Sequence, residues 1–120
     1  MINTSQKVVV AEVGPRDGLQ SFNRWISTED KVAMVDLLSD AELPVIEVTS
    51  FAHPKVVPML TDCEAVLEQI KRRSGTIYRA LVPNKKGAIR AIESGLVDEM
   101  LGLLTVSEAY LRKNQNMTLD

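Results

Sequence analysis

Arg16 and Asp17 stand side by side in a stretch where Gly14, Pro15 and Gly18 predict a tight turn. An arginine side chain is always charged, and it could stabilise an oxyanion that develops during a reaction. A carboxylate such as that of Asp17 could bind a hard divalent cation, since such cations prefer oxygen ligands. The same two residues could instead form a surface ion pair, and residue types alone leave both interpretations open.

Two acidic residues interrupt apolar runs that are typical of buried strands. Glu47 lies within residues 44–49 and Glu12 within residues 8–13. A lone charge in a protein core costs several kcal/mol unless it is paired or bound to a metal. Two carboxylates on neighbouring strands beside Arg16 therefore indicate either an organised polar site or a salt bridge at the strand ends.

Three other features are weaker candidates for chemistry. His53 is the only histidine, so this chain alone does not supply a site with several histidine ligands. Cys63 falls at the predicted start of a helix, whose positive dipole end lowers a thiol pKa, and the alternative is an inert structural thiol. Lys85 and Lys86 near the start of a third helix could bind an anion or could simply face solvent.

The elements that must position these residues alternate between strand and helix. Strands are predicted at residues 8–13, 44–49, 77–82 and 99–105. Ser27 is expected to cap a first helix and Asp62 a second, while a short third helix stops at Gly95. This alternation predicts an α/β fold with a parallel sheet, in which residues 1–120 form a single domain.

Composition argues against several classes of partner. The formal net charge of −2 lacks the basic excess that nucleic acids and anionic membranes attract. No apolar run approaches the roughly 20 residues that a membrane span needs. Neither kind of partner is therefore expected. Cys63 is the only cysteine, which excludes a disulfide within the chain, and no secretory signal is recognisable at the start, so we predict a cytoplasmic location.

Four sequence blocks carry a family resemblance. They read E-V-G-P-R-D-G-L-Q at residues 12–20, V-I-E-V-T-S-F-A-H-P-K at 45–55, L-V-P-N at 81–84 and S-E-A-Y-L-R-K-N at 107–114. In this order they resemble hydroxymethylglutaryl-CoA lyases, which belong to a metal-dependent group of lyases and Claisen-condensing enzymes built on a TIM barrel. Since such a barrel takes roughly 250 residues, the resemblance implies that this chain is the amino-terminal half, about the first four β/α units.

The resemblance implies cleavage of 3-hydroxy-3-methylglutaryl-CoA to acetoacetate and acetyl-CoA with Mg²⁺ or Mn²⁺, a step of leucine degradation. By position, the implied site comprises the catalytic residues Arg16, Glu47 and Glu12, the metal ligand Asp17, and the substrate-binding residues Gln20, Ser107 and Asn114. In that site Arg16 would stabilise the enolate of the departing acetyl-CoA. Glu47 and Glu12 would support the metal and substrate.

The sequence departs from the family pattern at three places near the expected substrate face. Ser21-Phe22-Asn23 replaces the usual Asn-Glu after the first block, and His53 stands where a serine commonly precedes Pro-Lys. Residues 115–118 read Q-N-M-T, whereas the family usually has I-N-C-S. The identity of the acyl group therefore stays open.

Two other functions remain possible from the sequence. The family's paired metal-binding histidines, later asparagine ligand and catalytic loop cysteine belong to the second half of the barrel, and Cys63 does not match that cysteine. The chain could thus be a noncatalytic half-barrel that joins a second copy or a complementary half through its open sheet edges. A related acyl-CoA Claisen synthase is the other alternative, although Gly14-Pro15 before Arg16 favours the lyase branch.

Overall fold

The computed structural model describes residues 6–119 and confirms the predicted alternation of strands and helices. Within this range, four parallel strands form one sheet in the order β1-β2-β3-β4. The strands are β1 Ala11–Glu12, β2 Val45–Ser50, β3 Ile77–Val82 and β4 Glu99–Gly102. The helices are α1 Thr28–Asp40, α2 Cys63–Gln69, α3 Lys85–Ser94 and α4 Glu108–Tyr110. Parallel strands in sequence order with helical crossovers form part of a (β/α) barrel, as predicted.

Side-chain caps explain where the longer helices begin and end. Ser27 caps α1 as predicted, since its Oγ accepts a hydrogen bond from the Asp30 amide at 3.1 Å. Asn84 caps α3 by accepting from the Gly87 amide at 3.0 Å, and α3 stops at Gly95, whose φ of 66° is readily adopted by glycine. Among residues 6–119, no helix is both long and apolar enough to cross a membrane.

Asp62 precedes α2, but the expectation that its side chain caps this helix is wrong. Its carboxylate instead accepts hydrogen bonds from Lys31 Nζ at 2.7 Å and from Thr28 Oγ1 at 2.7 Å. Lys31 is 3% exposed and also donates to the carbonyl of Met59 at 2.6 Å. The buried lysine therefore ties the start of α1 to the segment that leads into α2.

The main core lies between the sheet and the helices. β2 contributes Ile46 and Val48 to this core, and β3 contributes Tyr78 and Ala80. The helices add Val35, Cys63, Val66, Leu67 and Ala91. Because side chains alternate along a strand, Glu47 and Arg79 lie on the other face of the sheet, which corresponds to the interior of a barrel.

The first strand is shorter and more exposed than predicted. β1 contains only Ala11 and Glu12. Val8, Val9 and Val10 are 83%, 68% and 58% exposed, so the prediction of a buried strand over residues 8–13 is wrong. Within the described residues β1 pairs with β2 alone, and these valines therefore lack a second neighbour that could cover them.

The fourth strand also ends early, at Gly102 rather than at the predicted residue 105. Leu104 and Val106, which follow it, are 88% and 87% exposed. Both edges of the sheet thus expose apolar side chains.

An irregularity in β2 follows directly after Glu47. Glu47 has Arg79 as its partner in β3, whereas Thr49 has Ala80, so Val48 is an extra residue relative to β3. Such a β-bulge increases the local twist and often lies next to an active site. The simple alternation of side chains expected of a strand is therefore interrupted after Glu47.

Candidate active site

Arg16 lies in a π-helical turn, Gly14–Gly18, that follows β1 at the carboxyl end of the sheet. The turn closes because the Val13 carbonyl accepts hydrogen bonds from the amides of Arg16 and Asp17, at 3.1 and 2.7 Å. Pro15 is buried at the start of the turn, where its fixed φ is compatible with helical geometry. This short turn directs the Arg16 side chain towards β2.

The Arg16 guanidinium bridges two carboxylates. Its Nε donates to Glu47 Oε1 at 2.5 Å, and its Nη1 donates to Asp17 Oδ1 at 2.8 Å. The structure thus brings Arg16 together with Glu47 and Asp17, two of the three acidic residues that the sequence singled out. Among residues 6–119 no acceptor is assigned to Arg16 Nη2, which leaves this end of the guanidinium available to a ligand.

Burial differs sharply between the two carboxylates. The Glu47 side chain is 1% exposed, that of Arg16 is 15% exposed and that of Asp17 is 64% exposed. A buried carboxylate requires a partner, and Arg16 supplies it. Glu47 therefore fixes the guanidinium from inside the sheet, while Asp17 lies at the surface.

Glu12 makes a different contact from Asp17 and Glu47, which both bind Arg16. Its register partner in β2 is Ile46 rather than Glu47, and its Oε1 accepts a hydrogen bond from the Gly14 amide at 2.7 Å. Among the described residues Glu12 forms no ion pair with Arg16. Glu12 instead stabilises the first residue of the turn that carries Arg16.

A second ion pair, which was not predicted from the sequence, lies in register with Glu47. Arg79 in β3 is the partner of Glu47, and Glu99 in β4 is the partner of Arg79. Arg79 Nη2 lies 2.6 Å from Glu99 Oε1. The signal was present, because Arg79 interrupts an apolar strand in the same way as Glu47 does.

The three residues that the sequence places in substrate binding, Gln20, Ser107 and Asn114, are exposed. Ser107 Oγ caps α4 by accepting from the Tyr110 amide at 3.4 Å. Asn114 lines a cavity of about 90 Å³ together with His53 and Gln115. Two of the departures from the family pattern therefore share one cavity with a predicted substrate contact.

A larger cavity, of about 420 Å³, lies at the other end of the sheet. It is lined by Glu42, Arg73 and Thr76, which precede β2 and β3. In parallel α/β folds the functional groups gather at the carboxyl ends of the strands. Position in the fold therefore favours Arg16, Asp17 and Glu47 over this larger cavity as the functional site.

Asp17 is the residue that the family resemblance implies as a metal ligand. Within residues 6–119 no group of three or more His, Cys, Asp or Glu side chains could hold a metal ion. Asp17 Oδ1 is engaged by Arg16, whereas Oδ2 has no partner assigned among these residues. Asp17 therefore fits as one oxygen ligand, and the described residues do not bring three such side chains together.

The surroundings of Cys63 raise its thiol pKa to about 12. Burial is the largest cause, and the hydrogen bond from Sγ to Glu64 Oε2, at 2.8 Å, is the next. Of the two interpretations of Cys63, the structure agrees with the inert structural thiol, because desolvation of the thiolate outweighs the helix dipole.

We expect Cys63 to react very slowly with thiol reagents in the folded protein. With a pKa of about 12, only about one thiol in ten thousand is ionised at pH 8, and the side chain is 1% exposed. Iodoacetamide labelling followed by mass spectrometry would measure this rate. The same chain in 8 M urea is the control and should label at the rate of an ordinary thiol; equally fast labelling of both would contradict the buried environment.

Comparison with known proteins identifies relatives of the chain. The HMGL-like family matches residues 7–120. The hydroxymethylglutaryl-CoA lyase YngG of Bacillus subtilis is 47% identical over 111 residues, which are 92% of this chain and 37% of the relative. The 3-hydroxy-3-isohexenylglutaryl-CoA/hydroxymethylglutaryl-CoA lyase of Pseudomonas aeruginosa is 44% identical, over 98% of this chain and 39% of the relative. The chain thus spans less than two fifths of the length of these relatives.

A solved structure agrees with the fold. The HMG-CoA lyase of Acinetobacter baumannii, in complex with coenzyme A and 3-methylmalate, superposes with a TM-score of 0.91 at 39% identity. The match covers 99% of this chain and 39% of that structure. The partial (β/α) barrel and the sequence relationships agree with each other, and the chain belongs to the HMGL-like family.

Proposed function

We propose that the protein containing this chain is a divalent-metal-dependent lyase that cleaves 3-hydroxy-3-methylglutaryl-CoA to acetoacetate and acetyl-CoA. The observation that carries the proposal is the Arg16 guanidinium, which Glu47 and Asp17 hold at the carboxyl end of the sheet. The names of the relatives support this substrate. The coenzyme A bound in the related structure supports an acyl-CoA ligand.

The reaction is a retro-Claisen cleavage. The C3 hydroxyl of the substrate loses its proton, the C2–C3 bond breaks, and the electrons of that bond pass to the thioester as an enolate. The C3 oxygen becomes the ketone oxygen of acetoacetate, and the enolate takes up a proton to give acetyl-CoA. When bound, Mg²⁺ or Mn²⁺ lowers the pKa of a coordinated oxygen and fixes its orientation.

The residues of this chain would stabilise the negative charge that develops on the thioester oxygen. Arg16 Nε and one N–H of Nη1 are already engaged, so Nη2, with two N–H groups, is the nitrogen that would reach the enolate. Glu47 would keep the guanidinium in place, and Glu12 would keep the turn in place. Asp17 would contribute one metal ligand through Oδ2.

The test is an assay of the full-length protein with 3-hydroxy-3-methylglutaryl-CoA. We expect release of acetyl-CoA and acetoacetate with Mg²⁺ or Mn²⁺, loss of activity in EDTA and recovery when the metal is restored. No acetyl-CoA with either metal would refute the proposal. Parallel assays with 3-hydroxy-3-isohexenylglutaryl-CoA, and with acetyl-CoA plus a 2-keto acid, would reveal a longer acyl preference or a synthase.

The exposed apolar edges support a second candidate function, a half-barrel that associates with another copy or with a complementary half. Val8 and Val9 beside β1, and Leu104 and Val106 after β4, are each at least 68% exposed. Pairing along these edges would bury them and would satisfy open backbone groups. Size-exclusion chromatography of residues 1–120 should then show a dimer or a larger species, and a well-folded monomer would count against this function.

We also propose a cytoplasmic location and a role in leucine degradation. Cys63 is the only cysteine of the chain and is buried, which suits a compartment that keeps thiols reduced. The proposed products are a keto acid and an acetyl thioester, as expected of a catabolic cleavage.

A further inference from the structure

We propose that Arg79 is a positioning residue that acts on Arg16 through Glu47, which lies between the two arginines in the order of charges across the sheet. The inference rests on the proposed lyase function and extends it to β3, which carries no residue of the site implied by the sequence. Its basis is the order of charges across the sheet, which runs Arg16, Glu47, Arg79, Glu99.

The backbone places Arg79 beside Glu47. The two residues are register partners in β2 and β3, and neighbouring strands lie about 4.8 Å apart. The preceding register partners, Ile46 and Tyr78, both lie in the core on the helix side. Alternation therefore puts the side chains of Glu47 and Arg79 on the same, opposite face of the sheet, where Glu47 pairs with Arg16 and Arg79 pairs with Glu99.

The hydrogen bonds of Arg79 are incomplete. Nη2 pairs with Glu99, but Nε is buried and has no hydrogen-bond partner among the described residues. Burying a donor such as Arg79 Nε without an acceptor is unfavourable, so a nearby negative charge would stabilise it. Glu47, held by Arg16 through Oε1, is the buried carboxylate in register with this donor.

The arrangement has a consequence for Arg16. A guanidinium between two carboxylates is neutralised by them and is a weaker partner for an enolate. A second cation beside Glu47 offsets part of the carboxylate charge and leaves more positive potential at Arg16. Arg79 would therefore strengthen transition-state stabilisation without touching the substrate.

A purely structural role for Arg79 makes a different prediction. In that case its function is the ion pair with Glu99, and removing either partner should have the same effect. Glu99→Gln removes that pair while leaving Glu47 and Arg79 in place, so this variant separates the two roles.

The experiment measures kcat and KM of the full-length protein with 3-hydroxy-3-methylglutaryl-CoA. We expect Arg79→Met to lower kcat about 10- to 100-fold, the range typical of a misplaced catalytic group, with KM changed less than about threefold. Arg79→Gln, a second variant in case the first does not fold, should lose the same amount, and Arg79→Lys should recover most of kcat. A kcat loss in Glu99→Gln equal to that in Arg79→Met would overturn the proposal.

A double variant tests whether the effect passes through Glu47. If it does, Arg79→Met should cost little further kcat in a Glu47→Gln background, whereas independent roles would give multiplicative losses and overturn the proposal. Urea unfolding of the same four proteins provides a readout without catalysis. The midpoint shift of the double variant should be smaller than the sum of the single shifts. Additive shifts would refute the coupling, whereas inactivity of the unmodified protein would refute the lyase function instead.

Discussion

Replacement of Arg16 by glutamine is expected to lower kcat of the full-length protein in the proposed lyase reaction by about 10²- to 10³-fold, the usual cost of losing one oxyanion donor. Glutamine is polar, but it has no charge and cannot bridge Glu47 and Asp17 as the guanidinium does. The developing enolate loses its positive partner. Glu47, which is 1% exposed, also loses the cation that compensates it.

Steady-state kinetics with 3-hydroxy-3-methylglutaryl-CoA would measure the effect, and circular dichroism would verify folding. Arg16→Lys should be intermediate, because an ammonium keeps the charge but lacks the planar fork of donors. Arg73→Gln is the matched control, since Arg73 lies by the cavity at the other end of the sheet. A kcat within threefold of the unmodified enzyme for Arg16→Gln would refute the assigned role.

Replacement of Lys31 by methionine is expected to lower the free energy of unfolding by about 3 kcal/mol, in the range found when one partner of a buried ion pair is removed. Lys31 Nζ makes hydrogen bonds to Asp62 and to the Met59 carbonyl, and it lies 3.9 Å from the centre of the Trp25 ring. Methionine fills a similar volume but leaves Asp62, whose side chain is 13% exposed, without its cation.

Urea unfolding would measure this loss. The double variant Lys31→Met, Asp62→Leu should be more stable than Lys31→Met alone, because no uncompensated charge remains. Lys86→Met is the surface control and should change the stability by less than about 0.5 kcal/mol. A loss below about 1 kcal/mol for Lys31→Met would show that the buried pair matters little.

Local signals predicted much of this fold. Ser27 as a cap and Gly95 as a stop are encoded within a few residues, and the structure has both. The partnership of Glu47 with Arg16 was also accessible, because a carboxylate inside an apolar strand requires a cation. The neighbouring Arg79 carried the same signal and was overlooked.

Other features depend on contacts between residues that are distant in sequence. Burial of Cys63 against the sheet decides its pKa, and no property of the residues beside it reveals that burial. Val8 to Val10 are exposed because β1 has a neighbouring strand on one side only among the described residues. The β-branched composition of this segment does not reveal that. The bulge after Glu47 depends on the register with β3.

The bulge at Val48 has a consequence for how this family can diversify. It absorbs a register change between the part of β2 that holds Glu47 and the part that leads to the loop with His53. Insertions, deletions or an exchanged loop beyond Thr49 can therefore be accommodated without displacing Glu47 from Arg79. Grafting this loop from a relative that accepts a longer acyl chain would change substrate choice while Arg16, Glu47 and Arg79 stay in place. Evolution could change substrate choice in the same way.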